Sequence, residues 1–177
     1  MNILVRGALR SDLDAIADLL AVLFAQEAEF SPDKRKQIAA LETVLSNPDL
    51  GFVAVADHER SCVGTVMILY SISTALGGRV GILEDMIVAP DVRRTGVGRQ
   101  LIDFALSRAK QEGCLRITLL TDSDNERAHR FYAQAGFARS SIWSHDFRKS
   151  ESTTQQFIYC HPNADNNILG SRPLQQE

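Results

Sequence analysis

Arg93-Arg94-Thr95-Gly96-Val97-Gly98-Arg99 brings cations and small residues together immediately ahead of a helical pattern, and that combination makes an anion site. The apolar run Ile87-Val88-Ala89 and the turn residues Pro90-Asp91 precede it. The first backbone N–H groups of a helix have no partner inside it, and the helix dipole places partial positive charge at the same end. Gly96 and Gly98 keep side chains out of the way of a phosphate approaching the backbone. Arg93 and Arg94 add charge-assisted donors beside it. Three phosphate loops compete for this pattern. A Walker loop needs Gly-Lys followed by Ser or Thr, a triplet absent from this chain. A dinucleotide fingerprint, G-x-G-x-x-G, finds Leu101 where its third glycine belongs. The pattern R-x-x-G-x-G is filled by Arg93, Gly96 and Gly98.

Other side chains could move protons. Glu84 and Asp85 interrupt the apolar run from Val80 to Val88, and carboxylates are poor strand formers. They read as groups hydrogen-bonded at a strand bulge, as partners of a cation, or as a general base. Tyr132 lies on the apolar stripe of a helical segment and on its own reads as a packed aromatic; Phe131 beside it reads as core. His58, His129, His145 and His161 are scattered without metal-ligand spacing, so no metal site is expected, and His129 is expected on the outer face of its helix. Trp143 and Phe147 suit a core, a dimer contact or a wall of the site.

These groups need elements to hold them. Ile3 to Leu9 alternates as a strand. Ser11 and Asp14 resemble a capping box ahead of Leu13, Ile16, Leu20, Leu23 and Phe24 at helical spacing. Pro32 suits the first turn of a second helix, bearing Ile38, Leu41 and Leu45 and stopping near Asn47-Pro48. Phe52 to Ala56 and Val63 to Ile72 form a hairpin around Asp57-His58-Glu59-Arg60, and Gly77-Gly78 turns the chain into the strand Val80 to Val88. Val97, Leu101, Ala105 and Ala109, flanked by Ile102 and Leu106, mark a third helix that Gly113 ends. Leu115 to Leu120 is a strand separated by that helix from the preceding one, so the two run parallel. Ala128, Phe131, Tyr132 and Ala135 share a fourth helix closed by Gly136, and Phe137 to Phe147 and Gln155 to Cys160 complete the strands. The order β-α-α-β-β-β-α-β-α-β-β predicts an α+β fold: a mixed, mostly antiparallel sheet of about seven strands with helices on both faces.

Composition sets the outer bounds. With 177 residues, 45% of them hydrophobic, one domain over residues 1–160 with a sizeable core is expected. Residues 161–177 read as a mobile polar tail. A net charge of −3 argues against general binding to nucleic acid or anionic membranes, so the basic loop is a local feature. No apolar run is long enough to span a bilayer, and the first ten or so residues read as a strand rather than a signal peptide. Cys62, Cys114 and Cys160 are odd in number with no C-x-x-C, which suits reduced thiols in a cytoplasmic protein.

Two motifs at the right separation now resemble a known family. Leu83-Glu84-Asp85-Met86-Ile87-Val88-Ala89-Pro90 runs into R-x-x-G-x-G, and Asn125, Ala128, Phe131, Tyr132, Gly136 and Phe137 fill N-x-x-A-x-x-F-Y-x-x-x-G-F. Together they resemble the GNAT N-acetyltransferase superfamily over residues 83–137, and with the strand order over residues 3–160. The resemblance implies the acyl-CoA N-acyltransferase fold, with acetyl-CoA as co-substrate between splayed fourth and fifth strands. Backbone groups at Met86, Ile87 and Val88 would pair with the pantetheine arm. Residues Arg93, Arg94, Thr95, Gly96, Val97, Gly98 and Arg99 would wrap the pyrophosphate, and Asn125 with Ala128 would meet the CoA arm. Acetyl would pass directly to an amine, with no covalent enzyme intermediate.

Elementary chemistry asks for the same parts. An alkyl ammonium has a pKa near ~10 and cannot attack until a base takes its proton. Glu84 is the first choice for that base and Asp85 the second. The oxyanion needs a donor, which the resemblance assigns to a backbone N–H near Ile87–Val88. The departing thiolate, with a conjugate pKa of roughly 8.5, needs an acid, which the resemblance assigns to Tyr132. The expected acceptor is a small-molecule primary amine, in loose likeness to diamine and polyamine acetyltransferases. Glu27, Glu29 and Glu84 read as an acidic mouth for it, or Glu27 and Glu29 as a solvated helix face. A peptide or protein amine and a non-catalytic acyl-CoA sensor are the alternatives, and a homodimer is compatible with the long final hairpin.

Overall fold

The computed structural model describes residues 2–26, 32–143 and 155–160. Glu27, Glu29, His145, Phe147, His161 and the expected tail lie outside them, as does the side chain of Trp143. Seven strands form one sheet: β1 Leu4–Gly7, β2 Gly51–His58, β3 Ser61–Ser73, β4 Gly78–Val88, β5 Ile117–Asp122, β6 Ala138–Trp143 and β7 Gln155–Cys160. Their spatial order is β1-β2-β3-β4-β5-β7-β6. Every neighbouring pair is antiparallel except β4 and β5, the parallel pair that a helical crossover requires. The last two strands do form a hairpin, but β7 rather than β6 lies against β5. No helix among the described residues is long and apolar enough to cross a membrane.

Helices α1 (Leu13–Phe24) and α2 (Lys34–Ser46) cover one face of the sheet, and α3 (Val97–Gln111) covers the other. β2 is buried on both sides, which explains its unbroken apolar run. Val53 and Val55 pack with Ile16, Leu20 and Leu41 on one face, while Phe52, Ala54 and Ala56 join Leu101, Ile102 and Ala105 on the other. Four-residue spacing on α3 places Val97, Leu101, Ala105 and Ala109 in one buried stripe.

Two helix starts differ from expectation. Ser11 does not cap α1; Arg10–Asp12 is a 3-10 turn instead, and the Asp12 carboxylate accepts from the Leu9 N–H at 2.7 Å. Asp12 wins because Arg6 grips it at 2.7 Å and holds its carboxyl below the usual carboxylate range. Asp57 on β2 completes the cluster at 3.1 Å from Arg6. For α2, Asp33 is the cap, accepting from the N–H groups of Arg35 and Lys36, and Pro32 stands just before it.

One strand pair shapes the site. β4 and β5 are paired only at Gly81–Ile117 and Ile82–Thr118. Beyond Ile82 the two strands diverge, and the β4 edge from Met86 to Val88 runs on with β3 as its neighbour on one side. In the same stretch, β3 residue Val66 stands opposite both Asp85 and Met86, a bulge at which Asp85 takes φ +53°. The bulge expected as one reading of Glu84-Asp85 is therefore present.

Candidate active site

The wedge between β4 and β5 opens into a cavity of about 470 Å³. Met86, Ile87 and Val88 form one wall, Arg93, Arg94, Gly96, Gly98 and Arg99 the second, and Asn125, Ala128 and Tyr132 the third. Eleven of the sequence-derived site residues thus meet around one space. Thr95 and Val97 do not line it. Thr95 Oγ1 donates to the Val92 carbonyl at 2.6 Å and shapes the loop, and Val97 is buried beneath α3.

The loop geometry follows from its residues. Arg93 Nε donates to the Val88 carbonyl at 3.0 Å, folding the loop back on β4. Arg94 and Gly96 both have left-handed backbones, at φ +67° and +91°. Left-handed residues alternating with ordinary ones turn successive N–H groups inward, the arrangement that cradles anions. A Cβ at Gly96 would meet nothing within 4 Å, so glycine is needed there for its backbone angle. A Cβ at Gly98 would touch the Phe131 ring at 3.5 Å, which sets how closely α3 approaches the fourth helix. Arg99 is held by Asp103 at 2.8 Å and donates through Nη1 to the Gln134 carbonyl at 2.9 Å.

That fourth helix, α4 (Glu126–Gln134), starts at Asn125, whose side chain accepts from the Ala128 N–H at 3.0 Å. Tyr132 stacks edge-on between Phe131 and Phe137, with ring centres at 5.2 and 5.6 Å. Its hydroxyl points at Met86 Sδ, 4.0 Å away, a weak acceptor. Burial pushes the phenol up to about 12, so it carries its proton across the physiological range.

Glu84 and Asp85 do not line the cavity. Glu84 stands opposite Met67, which packs in the α1 and α2 core, so its side chain lies on that face of the sheet. It reaches solvent, yet the surrounding protein desolvates its carboxyl enough to raise its pKa. Asp85 is half-buried at the bulge.

The cavity has lining residues beyond the expected site residues. Leu23 and Gln26 reach it from the end of α1, and Arg127 and Phe131 from α4. Phe131 also packs on the core, so it serves both surfaces. Arg127, between Asn125 and Ala128, and Phe131, in the motif beside Tyr132, carried a local signal; Leu23 and Gln26 carried none. His129 contradicts expectation: it is 5% exposed, on the inner side of α4, with Nε2 3.0 Å from the Asp122 carbonyl oxygen. That bond replaces the hydration a histidine would otherwise keep.

With Arg127, four arginines and no carboxylate line the space among the described residues, which selects for a polyanion. The family model for the acetyltransferase (GNAT) family matches residues 13–137, which includes every cavity wall. The chain belongs to the GNAT acetyltransferase family. It is an N-acetyltransferase, and acetyl-CoA is its co-substrate. The cavity fits that molecule: cations and inward N–H groups suit the phosphates, and the free β4 edge suits an amide-bearing arm. An uncharacterized N-acetyltransferase, YhfO of Bacillus subtilis, is 30% identical over 144 residues, covering 80% of this chain and 93% of that one. The aminoalkylphosphonate N-acetyltransferase of Salmonella typhimurium is 24% identical, covering 77% and 85%. The fold is shared with the structure of yncA, a putative acetyltransferase from Salmonella typhimurium solved with acetyl-CoA. It aligns with a TM-score of 0.75 at 16% identity over 93% of this GNAT chain and 96% of its own.

Proposed function

We propose that this enzyme passes the acetyl group of acetyl-CoA directly to a primary amine of a small molecule. What carries the reading is the Met86–Val88 edge, which leads from a mouth of four arginines to the buried Tyr132 hydroxyl. An arm that pairs with this edge delivers its thioester between β4 and α4. Attack by the amine nitrogen on the carbonyl carbon then forms the C–N bond, and collapse of the oxyanion breaks the C–S bond. A backbone N–H near Ile87–Val88 holds the oxyanion, and Tyr132 gives its proton to the leaving sulfur. Glu84, on the α1 and α2 side, accepts the ammonium proton directly or through water; Asp85 at the bulge is the second candidate. A small amine is supported by the aminoalkylphosphonate relative, whose acceptor is of that kind by name. A cytoplasmic location, suited to the three free cysteines, and a homodimer belong to the same reading.

The deciding experiment incubates the enzyme with acetyl-CoA and a panel of diamines, polyamines, amino acids, aminophosphonates, aminoglycosides and peptides, read by mass spectrometry. Acetylated small amines are expected. Acetylated peptides alone would move the acceptor to protein amines, and binding of acetyl-CoA without any product would favour a sensor. The phosphate loop is tested separately. Arg94→Ala is expected to weaken acetyl-CoA about tenfold, the scale of one charge-assisted contact, and to leave acetyl-pantetheine unaffected. Equal losses for the two ligands in calorimetry would take Arg94 off the phosphates.

A further inference from the structure

His129 is a buried titratable group for which the reaction above has no use. A carbonyl oxygen only accepts, so the 3.0 Å contact to Asp122 requires the hydrogen on Nε2. The other ring nitrogen is Nδ1. It is enclosed and has no hydrogen-bond partner among the described residues. An apolar side chain in that place would avoid the cost of burying an unpaired polar atom. What histidine supplies in exchange is a single bond, so the location of that bond matters.

Asp122 is the last residue of β5, the strand that diverges from β4 to open the cleft. Its carbonyl oxygen also accepts from the Asn125 N–H at 3.1 Å. One oxygen therefore takes two donors from the start of α4, the second a turn after the first. A single tether at the cap leaves a helix free to rotate about its axis, and a second tether removes that freedom. At the far end, Arg99 holds the Gln134 carbonyl, but that guanidinium is exposed and also engages Asp103. Of the two, the His129 bond is the less exposed, with the histidine buried and the bond part-buried.

We propose that His129 is a positioning residue: its bond to the Asp122 carbonyl fixes the rotation of α4 and so aims the Tyr132 hydroxyl into the cleft. Tyr132 follows by three residues, about 60° around the helix, so any rotation swings the phenol directly. The proposal rests on the reading of Tyr132 as the acid.

The test is a double-mutant cycle with two substitutions at one site. His129→Leu keeps the bulk and loses the donor, and His129→Gln keeps an amide donor. His129→Leu is expected to lower kcat at least about tenfold, since a small misplacement of a reacting group is costly. KM for acetyl-CoA should stay within about threefold, because the Asn125 tether survives. His129→Gln should recover most of the lost kcat. In a Tyr132→Phe background, His129→Leu should change kcat no further, whereas general destabilisation would act equally in both backgrounds. Additive losses, or equal kcat for the Leu and Gln variants, overturn the proposal. If Tyr132→Phe alone leaves kcat unchanged, the acid reading has failed separately. The tether is then judged by amide exchange: faster exchange over residues 130–134 in His129→Leu but not in His129→Gln supports it, and unchanged exchange rejects it.

Discussion

Tyr132→Phe is expected to lower kcat about 100-fold, the low end for a positioned general acid. The Kd of acetyl-CoA should move by less than about twofold, because the substitution removes one oxygen and keeps the ring contacts with Phe131 and Phe137. A phenol pushed up to about 12 is a weaker acid than an ordinary tyrosine, which looks unfavourable for protonating a thiolate. The same dry surroundings also raise the basicity of the sulfur that leaves beside it, so the proton transfer keeps its driving force. The raised pKa also makes the proton present at every working pH. No alkaline fall in rate below about pH 10 should therefore trace to Tyr132, the value at which an unperturbed tyrosine would ionise. With Glu84 as the proposed base, the acid limb is expected to follow its carboxyl. A base works ionised, and its pKa lies above the ordinary glutamate value, so kcat/KM should fall on acidification at a higher pH than a free carboxylate would give. Glu84→Gln should lower the rate and abolish that limb. Steady-state kinetics across pH on the three proteins checks both roles. A Tyr132→Phe enzyme as fast as its parent makes the residue a packing aromatic, and an unchanged acid limb in Glu84→Gln transfers the base to another group.

The parts of the site that were legible in the sequence are those whose reasons are local. The β4 strand, the left-handed Gly96 and the α3 stripe depend on backbone angle, helix ends and periodicity, and each is written in neighbouring residues. Parallel pairing of β4 with β5 followed from the helix between them. The misreadings share one cause, a partner on another element of the fold. Ser11 had the composition of a cap, but Arg6, reaching over from β1, holds Asp12, which bonds back to the Leu9 N–H, and α1 starts from a 3-10 turn with no side-chain cap. His129 looked like an outer-face residue because histidine is polar, and the Asp122 carbonyl that allows its burial lies on another element. Leu23 and Gln26 enter the cavity because α1 packs across β3 and β4, which no pattern within α1 reveals. β7 pairs with both β5 and β6, and adjacency in sequence accounts for only the second of these.

Leu101→Ala is expected to produce the largest loss of stability, about 3 kcal/mol, in the usual range for a buried leucine. Leu101 is 0% exposed in the α3 stripe. Its Cδ1 would lie 2.9 Å from a Cβ built on Gly64, so it fills the notch that this glycine leaves on β3. Few atoms can collapse into the vacancy, because Gly64 has no side chain to move and Ile102 and Ala105 already pack on neighbouring surfaces. For a chain of this size the loss corresponds to a fall in Tm of roughly 6–12 °C. Kinetics should barely change at 25 °C, since Leu101 does not line the cavity. The informative comparison adds ligand. Acetyl-CoA at about 100 times its Kd stabilises any folded form that binds it normally by about 2.7 kcal/mol, so it should raise the Tm of variant and parent alike. Equal increments mean that α3 has kept its first turn in place while losing core contact. A smaller increment in the variant means that the helix has shifted on β3 and carried its N-terminal donors away from the phosphates. In that case Leu101 supports binding as well as folding, because the residue that seats α3 on the sheet also sets where its free N–H groups point.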